Sequence, residues 1–164
     1  MDYAGFADWL DYPAAAAPPP QPALAQASPV VQGLLAAFAT AAAALPAGRL
    51  EEVYTQTFDL QPECTLNLGH HLFGEDWKRS LFLIELKALF ARHSLDPGHE
   101  LPDHLCWLLR LLAVAPPDPE LQDLRATCLL PALRALSLRL QDSSNPYQPL
   151  LQALYLVLSD EVRP

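Results

Sequence analysis

Apolar residues recur at intervals of three and four along most of this chain, which is the spacing of one face of an α-helix. The spacing predicts helices over residues 2–12, 28–45, 50–58, 62–73, 76–94, 100–115, 119–140 and 146–159. No segment shows a sustained period-two alternation rich in β-branched residues, as a half-buried strand would. The pattern therefore predicts an all-α fold, a single-domain bundle of helices joined by short links.

Proline and glycine mark several of the predicted helix ends. Ser28-Pro29, Asp118-Pro119 and Asn145-Pro146 each place a capping residue before a proline, which has no N–H to lose in the first helical turn. Prolines at helix starts make the 17 prolines of the chain compatible with a helical protein. Gly74 is predicted to end the 62–73 helix, and Pro131 to bend or break the 119–140 helix.

Residues 76–94 carry two apolar rows. Trp77, Leu81, Ile84 and Ala88 form the first row, and Phe82, Leu86, Leu89 and Phe90 lie beside them. An apolar surface this wide is typical of a helix packed on several sides. The pattern therefore predicts that this helix is central in the bundle.

The domain organisation follows from a change in composition near the N-terminus. Residues 14–27 are almost entirely Ala, Pro and Gln, a composition typical of an extended or flexible linker. Residues 1–27 are therefore predicted to form a short helix and a linker, and residues 28–164 one helical domain. With 164 residues, of which 51% are hydrophobic, the chain is long enough for one core.

The charge and the cysteines limit the compartment and the partners. Ten Lys and Arg residues against 19 Asp and Glu give a net charge of −9, which argues against nucleic acid and against stable association with anionic membranes. No apolar run is long enough to span a bilayer, and no basic region opens a signal peptide. Three widely spaced cysteines predict reduced thiols. A cytoplasmic location is expected.

The segment Glu100-Leu101-Pro102-Asp103-His104-Leu105 concentrates polar side chains at the predicted start of a helix. Pro102 suits the first helical turn, and Asp103 would lie near the positive end of the helix dipole. Apolar residues then recur at Leu105, Leu108, Leu109 and Leu112. Glu100, Asp103 and His104 are thus expected at the exposed rim of a buried helix, either as a functional cluster or as a helix cap with surface charges.

Enzymatic and metal-binding alternatives find little support. Asp103 and His104 are neighbours on a predicted helix and point about 100° apart, so they do not form a catalytic dyad. The chain has no nucleophile elbow, no phosphate-binding glycine loop and no zinc-protease helix motif. Cys64 with His70 or His71 matches no compact zinc motif, and buried cysteines with a surface histidine pair near a helix end are the favoured explanation. We predict no catalytic residue, no metal and no cofactor.

The acidic residues favour a different kind of partner. Residues 96–123 hold six carboxylates and a single basic residue, Arg110. If that face borders an apolar groove, it suits an amphipathic peptide that carries basic residues. The alternative is a solvated acidic face without a partner. A DNA-binding helical regulator is disfavoured because no helix is rich in Lys and Arg.

Three stretches together resemble one protein family. They are residues 54–60 (Tyr-Thr-Gln-Thr-Phe-Asp-Leu), residues 66–74 followed by Lys78-Arg79, and the Glu-Leu-Pro-Asp-His-Leu string at 100–105, with support from Trp9-Leu10-Asp11-Tyr12-Pro13. They look like the NarJ-type, or delta-subunit, assembly chaperones of respiratory nitrate reductase, which are relatives of the TorD and DmsD chaperones. The resemblance covers most of the chain outside the Ala/Pro linker.

The resemblance implies a cytoplasmic, non-enzymatic chaperone that is a monomer or a weak homodimer. Its partner would be the N-terminal peptide of an apo molybdoenzyme catalytic subunit, held while the molybdenum cofactor is inserted. The residues implied to line or support the peptide groove are Tyr54, Phe58, Pro102, Asp103 and His104, with Glu100 and Asp103 expected to meet basic residues of the peptide.

Two departures from the family pattern leave the client open. Cys106 stands where the family commonly has proline, and Arg110 stands where it commonly has an acidic residue. A nitrate reductase is the first expectation, and another molybdenum oxidoreductase of the same superfamily is the alternative. A helical interaction or regulatory domain without a client is the other hypothesis.

Overall fold

The fold consists of α-helices and short helical turns. A computed structural model describes residues 3–11, 27–116, 118–141 and 144–160. The helices are α1 (Tyr3–Leu10), α2 (Pro29–Ala43), α3 (Arg49–Tyr54), α4 (Leu68–Phe73), α5 (Trp77–Arg92), α6 (Leu105–Val114), α7 (Pro119–Leu124), α8 (Leu130–Leu140) and α9 (Gln148–Asp160). Within these ranges no residue belongs to a strand, which confirms the all-α prediction. No helix in the described part of the chain has the length and apolar character needed to cross a bilayer.

Two of the three predicted proline caps form, at α2 and α7, and α5 has a further cap that the pattern did not predict. The third prediction is wrong, because α9 begins at Gln148 and the Asn145 side chain instead accepts a hydrogen bond from the Tyr147 N–H at 2.9 Å, in the turn before the helix. The Ser28 hydroxyl accepts a hydrogen bond from the Val31 N–H at 3.4 Å, and the Asp118 carboxylate accepts one from the Leu121 N–H at 2.9 Å. Both caps precede a proline at the first helical position, as predicted. At α5, Asp76 accepts from the Lys78 N–H at 2.9 Å. These side chains satisfy N–H groups that have no partner inside the helix.

The core is centred on α6 and α9. The buried side chains of α6 are Leu105, Cys106, Leu108, Leu109, Leu111 and Leu112, and those of α9 are Leu150, Leu151, Ala153, Leu154, Val157 and Leu158. Helix α1 packs on α6, α2 packs on α9, and α8 packs on both α4 and α9. The core therefore joins the two ends of the described chain.

Helix α1 contributes to this same core. Its buried residues include Tyr3, Phe6 and Leu10, and it is further tied to α6 by an ion pair between Asp11 and Arg110 at 2.6 Å. Of the predicted linker, only Ala27 lies within the described residues, where it is buried. The division at residue 27 stays a prediction, but the N-terminal helix packs as part of the bundle.

The prediction that α5 is central is wrong. The row of Phe82, Leu86, Leu89 and Phe90 is buried, as expected, but Trp77 is 66% exposed and Ile84 63% exposed. Leu81 and Ala88, from the same row, also face solvent. Only one side of α5 meets the bundle, through contacts such as Phe73 with Phe82 and Phe90 with Trp107. The apolar pattern predicts how wide the apolar surface of α5 is, but not which part of it packs against other helices.

Two predicted helix boundaries are also wrong. The 62–73 segment is not one helix: Pro62–Cys64 forms a 3-10 turn, residues 65–67 are extended, and α4 begins at Leu68. Gly74 does end α4, as predicted. Helix α6 begins at Leu105, so Pro102 lies in the turn before it and not in its first turn. Both differences arise where residues 66–68 pair with residues 103–105.

Two π-helical turns interrupt the longer helices. The turn Thr55–Asp59 extends α3, and the turn Arg125–Leu129 joins α7 to α8. Pro131 follows the second turn, and a proline removes one helical hydrogen bond and crowds the carbonyl four residues earlier. The interruption predicted near Pro131 is thus present as a change of helical pitch. Such turns are frequent at functional sites.

We expect Phe6→Ala to destabilise the whole protein, because Phe6 is 3% exposed in the core. Truncating a buried phenylalanine costs about 3–5 kcal/mol. The free energy of unfolding, from urea denaturation followed by circular dichroism, measures this loss. The control is Val30→Ala, which removes a side chain that is 62% exposed and should change stability little. A near-neutral Phe6→Ala would show that α1 is only a tether.

Candidate functional site

The starts of α4 and α6 face each other and share backbone hydrogen bonds. The Leu68 N–H donates to the Asp103 carbonyl at 2.9 Å, and the Leu105 N–H donates to the Leu66 carbonyl at 2.9 Å. Asn67 and His104 lie opposite each other in this isolated antiparallel bridge. Neither of their side chains caps its helix. The two helices therefore cap each other through this α4/α6 bridge, formed by residues 66–68 and 103–105.

Asp103 lies behind the bridge and is fully buried. Its Oδ2 accepts a hydrogen bond from Arg79 Nε at 3.1 Å and lies 3.1 Å from Arg79 Nη2. The Arg79 side chain is 20% exposed and that of Asp103 is 0% exposed. The exposed rim predicted from Glu100, Asp103 and His104 is thus wrong for Asp103, because its carboxylate pairs inside the protein.

Gly69 provides the space that this ion pair occupies. A Cβ atom on Gly69 would lie 2.5 Å from Asp103 Oδ2, 3.3 Å from Phe82 Cδ1 and 3.4 Å from Arg79 Cγ. The first distance is well below van der Waals contact. Gly69 is therefore required for close approach and not for a left-handed backbone. Side chains from α5 and from the turn before α6 therefore meet α4 at this glycine.

A cavity of about 290 Å³ opens on the other side of the bridge. Its walls combine residues from five parts of the chain: Asp11, Tyr54, Phe58, Asp59, Thr65, Leu66, Asn67, Glu100, His104 and Trp107. Residues 65–67 form one wall, and Glu100 and His104 belong to another. The α4/α6 bridge joins the two.

Four of the six predicted site residues line this cavity: Tyr54, Phe58, Glu100 and His104. Pro102 and Asp103 are buried and do not line it. The structure adds Asp11, Asp59 and Trp107, together with residues 65–67. Asp11 and Asp59 both lie within stretches that carry the family resemblance, which is the signal that could have identified them.

Aromatic rings form the apolar part of the site. Tyr54 and Phe58 lie 5.1 Å apart, and Tyr147 packs against them at 5.9 and 5.1 Å. The π-helical turn is held beneath them by Thr57, which donates to the Val53 carbonyl and accepts from Asn145, both at 2.6 Å. Burial raises the pKa of the Tyr54 hydroxyl, so it stays protonated. The rings are therefore fixed from behind.

The polar part of the site is acidic. Asp11, Asp59 and Glu100 bring three carboxylates to the cavity, and no lysine or arginine is among the described residues that line it. Arg110 contacts Asp11 from outside the lining and lies 5.1 Å above the Trp107 ring. Asp59 and Glu100 are exposed. The cavity therefore presents aromatic surface beside negative charge.

Most carboxylates of the predicted acidic segment serve the fold. Asp103 pairs with Arg79, Glu120 pairs with Arg92, and Asp118 caps α7. Asp96 accepts a hydrogen bond from the Gly98 N–H at 2.9 Å. Of this segment, only Glu100 lines the cavity with a carboxylate. The acidic character of the site thus comes mainly from other parts of the chain.

His104 and Asn67 supply polar atoms without partners. His104 Nδ1 and Asn67 Oδ1 are buried and make no hydrogen bond with any described residue. Burial lowers the pKa of His104, whereas Glu100, Asp11 and Asp103 raise it and Arg110 lowers it further. The lowered pKa favours a neutral ring at neutral pH. The two residues therefore line the cavity, but these two polar atoms lie buried behind its surface.

The thiols and histidines form no described metal centre. No group of three or more His, Cys, Asp and Glu residues in the described ranges is placed to hold a metal ion. The three cysteines are free, and burial raises the thiol pKa of Cys64 and Cys106. His71 lies 2.7 Å from the Thr65 carbonyl through its Nε2. His71 therefore supports the wall at 65–67.

Comparison with protein families identifies the fold's relatives. A family model described as nitrate reductase delta subunit matches residues 21–153, well over half of the chain. The chain belongs to the nitrate reductase delta subunit family. The resemblance found in residues 54–60, 66–74 and 100–105 is thereby confirmed. All of the cavity-lining residues except Asp11 lie within the part of the chain matched to this delta subunit family.

Curated relatives within the family carry a specific description. The nitrate reductase molybdenum cofactor assembly chaperone NarJ of Escherichia coli strain K12 is 33% identical over 102 residues, and that of Escherichia coli O157:H7 gives the same values. The matched region covers 62% of this chain and 42% of each relative. It thus spans less than half the length of these delta-family proteins.

We expect Asp103→Ala to destabilise the protein by about 3–5 kcal/mol, because it leaves Arg79 without its buried partner. Urea denaturation measures the change. The matched control is Glu120→Ala, which removes an exposed partner of Arg92 and should cost no more than about 1 kcal/mol. Equal losses in the two variants would contradict a structural role for the buried pair.

Proposed function

We propose that this chain is a molybdenum cofactor assembly chaperone that binds the N-terminal segment of an apo molybdoenzyme catalytic subunit. The observation that carries the proposal is the cavity, which joins aromatic walls to carboxylates and has no lysine or arginine in its described lining. Membership of the delta subunit family and the description of the NarJ relatives support it. The chain would act in the cytoplasm without catalysing a reaction.

The bound peptide would be an amphipathic helix that carries basic residues. Its apolar face would pack against Tyr54, Phe58 and Trp107, and its basic residues would meet Glu100 and Asp59. Pro102 and Asp103 would support the wall from behind. Because the peptide must become ordered on binding, affinity should be moderate and release easy, as an assembly chaperone requires.

The first client to test is the catalytic subunit of a nitrate reductase, because the curated relatives are described as nitrate reductase chaperones. Another molybdenum oxidoreductase of the same superfamily is the alternative client. Arg110 bears on this choice, since it neutralises Asp11 at one edge of the cavity. A peptide with fewer basic residues at that edge would fit this chain better than one with more.

A helical interaction domain without a client is the second candidate function. The exposed apolar row of α5, with Trp77, Leu81 and Ile84, favours it, because exposed apolar rows often mark protein contacts. A pull-down separates the two functions. A chaperone should capture the apo catalytic subunit and lose it after the cofactor is loaded, whereas an interaction domain should not distinguish the two forms.

We expect saturable binding of one peptide copied from the N-termini of molybdenum oxidoreductase catalytic subunits encoded beside this chain, measured by isothermal titration. Glu100→Gln should weaken that binding about twofold to fivefold and reduce its salt dependence, because an exposed charge at the cavity is removed. Glu85→Gln, on the exposed side of α5, is the matched control and should have no effect. Absence of binding to every peptide would reject the proposal.

We expect the affinity for a basic peptide without histidine to fall on acidification. The pKa of His104 is lowered from 6.5 by burial, so the ring is neutral at pH 7 and gains a proton only below its usual range. That proton adds positive charge to the cavity and opposes a basic peptide. Titrations from about pH 7.5 to about pH 5.5 should show the loss, and His104→Gln should remove it.

The control for this pH profile is His93→Gln, because His93 does not line the cavity. It should leave the decline intact. The stability of the protein should change in the same direction, since a histidine with a lowered pKa in the folded state favours unfolding as the pH falls from 6.5 towards that lowered value. A decline that persists unchanged in His104→Gln would exclude His104 as its cause.

A further inference from the structure

Arg79 and Gly69 lie outside the cavity but contact the residue that connects its walls. The Asp103 side chain accepts a hydrogen bond from Arg79, and the Asp103 backbone carbonyl accepts one from the Leu68 N–H. The next residue, His104, lines the cavity. One residue therefore links α5 to the start of α4 and to the wall that precedes α6.

We propose that Arg79 and Gly69 are positioning residues of the peptide site, which hold its two walls at the correct separation through Asp103. This inference rests on the proposed peptide-binding function. Neither residue touches the cavity, and nothing in the stretch around Arg79 marks it as different from the neighbouring Lys78. Only the fold brings Arg79 to Asp103, which is 24 residues away in the chain.

The mechanism follows from the burial of the ion pair. Two nitrogens of Arg79 converge on Oδ2, and the other oxygen, Oδ1, is buried and has no hydrogen-bond partner among the described residues. Without Arg79 the carboxylate would be buried without a counter-charge, which is strongly unfavourable. The turn 101–104 would then move to bring Asp103 to water. Glu100 and His104 would move with it, and the bridge to Leu66 and Leu68 would weaken.

Gly69 controls the separation between the turn 101–104 and the start of α4. A side chain at this position would displace Oδ2, because a Cβ would lie only 2.5 Å from it. The displacement pushes the turn 101–104 away from the start of α4. Gly69→Ala should therefore open the walls while leaving every charge of the site in place.

The direction in which Arg79→Gln changes peptide affinity distinguishes a positioning role from a direct electrostatic one. Arg79→Gln removes a positive charge close to an acidic cavity, so charge alone would strengthen the binding of a basic peptide. Positioning predicts the opposite, a weaker complex. A loss of about twofold to thirtyfold is expected for a residue that acts through a packed network.

The experiment measures two properties of the full chain. Isothermal titration gives the affinity for the N-terminal peptide of the nitrate reductase catalytic subunit encoded beside this chain. Amide hydrogen exchange gives the protection of the Leu68 and Leu105 N–H groups, the two donors of the α4/α6 bridge. Arg79→Gln and Gly69→Ala should lower both the affinity and the protection. The protection of the α9 amides should not change.

Arg92→Gln is the matched control. Arg92 lies on the same helix and also forms an ion pair, with Glu120, but its side chain is 51% exposed. It should retain the original affinity and exchange protection. Arg79→Lys keeps the positive charge and should lose less affinity than Arg79→Gln, which provides a folded variant if Arg79→Gln fails to fold.

Unchanged or stronger peptide binding in Arg79→Gln, with Leu68 and Leu105 still protected, would overturn the inference. Loss of protection across all helices would also overturn it, because Arg79 would then serve general stability. If neither the original protein nor any variant binds a peptide, the proposed function fails. The exchange measurement would still decide whether Arg79 holds the two walls together.

Discussion

The N–H groups at the start of an α-helix have no partner inside that helix, and this constraint governs the centre of the molecule. Helices α4 and α6 meet it together, since each receives a backbone carbonyl from the segment before the other. This arrangement keeps residues 65–67 extended and delays the start of α6 to Leu105. It also places the side chain of Asp103 inside the protein, where Arg79 must neutralise it.

The same arrangement produces the site. The two segments are joined backbone to backbone and both line one cavity, with Asn67 paired to His104 in the bridge. The π-helical turn after α3 adds Phe58 and Asp59, and α1 adds Asp11. Aromatic surface and carboxylates therefore come from distant parts of the chain, an arrangement suited to a basic amphipathic peptide and consistent with membership of the delta subunit family.

Helices and caps could be predicted because they depend on neighbours in the chain. The periodicity located α2, α5 and α9, and the Ser28 and Asp118 caps follow from local chemistry. The bridge could not be predicted, since it joins segments whose residues pair across almost 40 positions, Asn67 with His104. For the same reason Asp103 was assigned to an exposed rim. The partner that buries it, Arg79, lies on another helix.

The site itself was partly accessible from sequence. The motifs at residues 54–60 and 100–105 predicted Tyr54, Phe58, Glu100 and His104, all of which line the cavity. The acidic segment 96–123 contributes less than its composition suggests, because only Glu100 brings a carboxylate to the described lining. The exposed apolar row of α5 was predicted to be buried, because an apolar row along one helix does not show whether another helix covers it. Burial depends on the arrangement of helices, which the pattern along one helix does not contain.

The central claim is that a client peptide binds in the cavity beside the α4/α6 bridge. The most direct test is to follow the backbone amide resonances by NMR while the nitrate reductase N-terminal peptide is added. The account predicts that the largest shifts occur at Leu66, Asn67 and Trp107, which line the cavity. Shifts centred on Trp77, Leu81 and Ile84 would contradict it and would place the binding surface on the exposed side of α5.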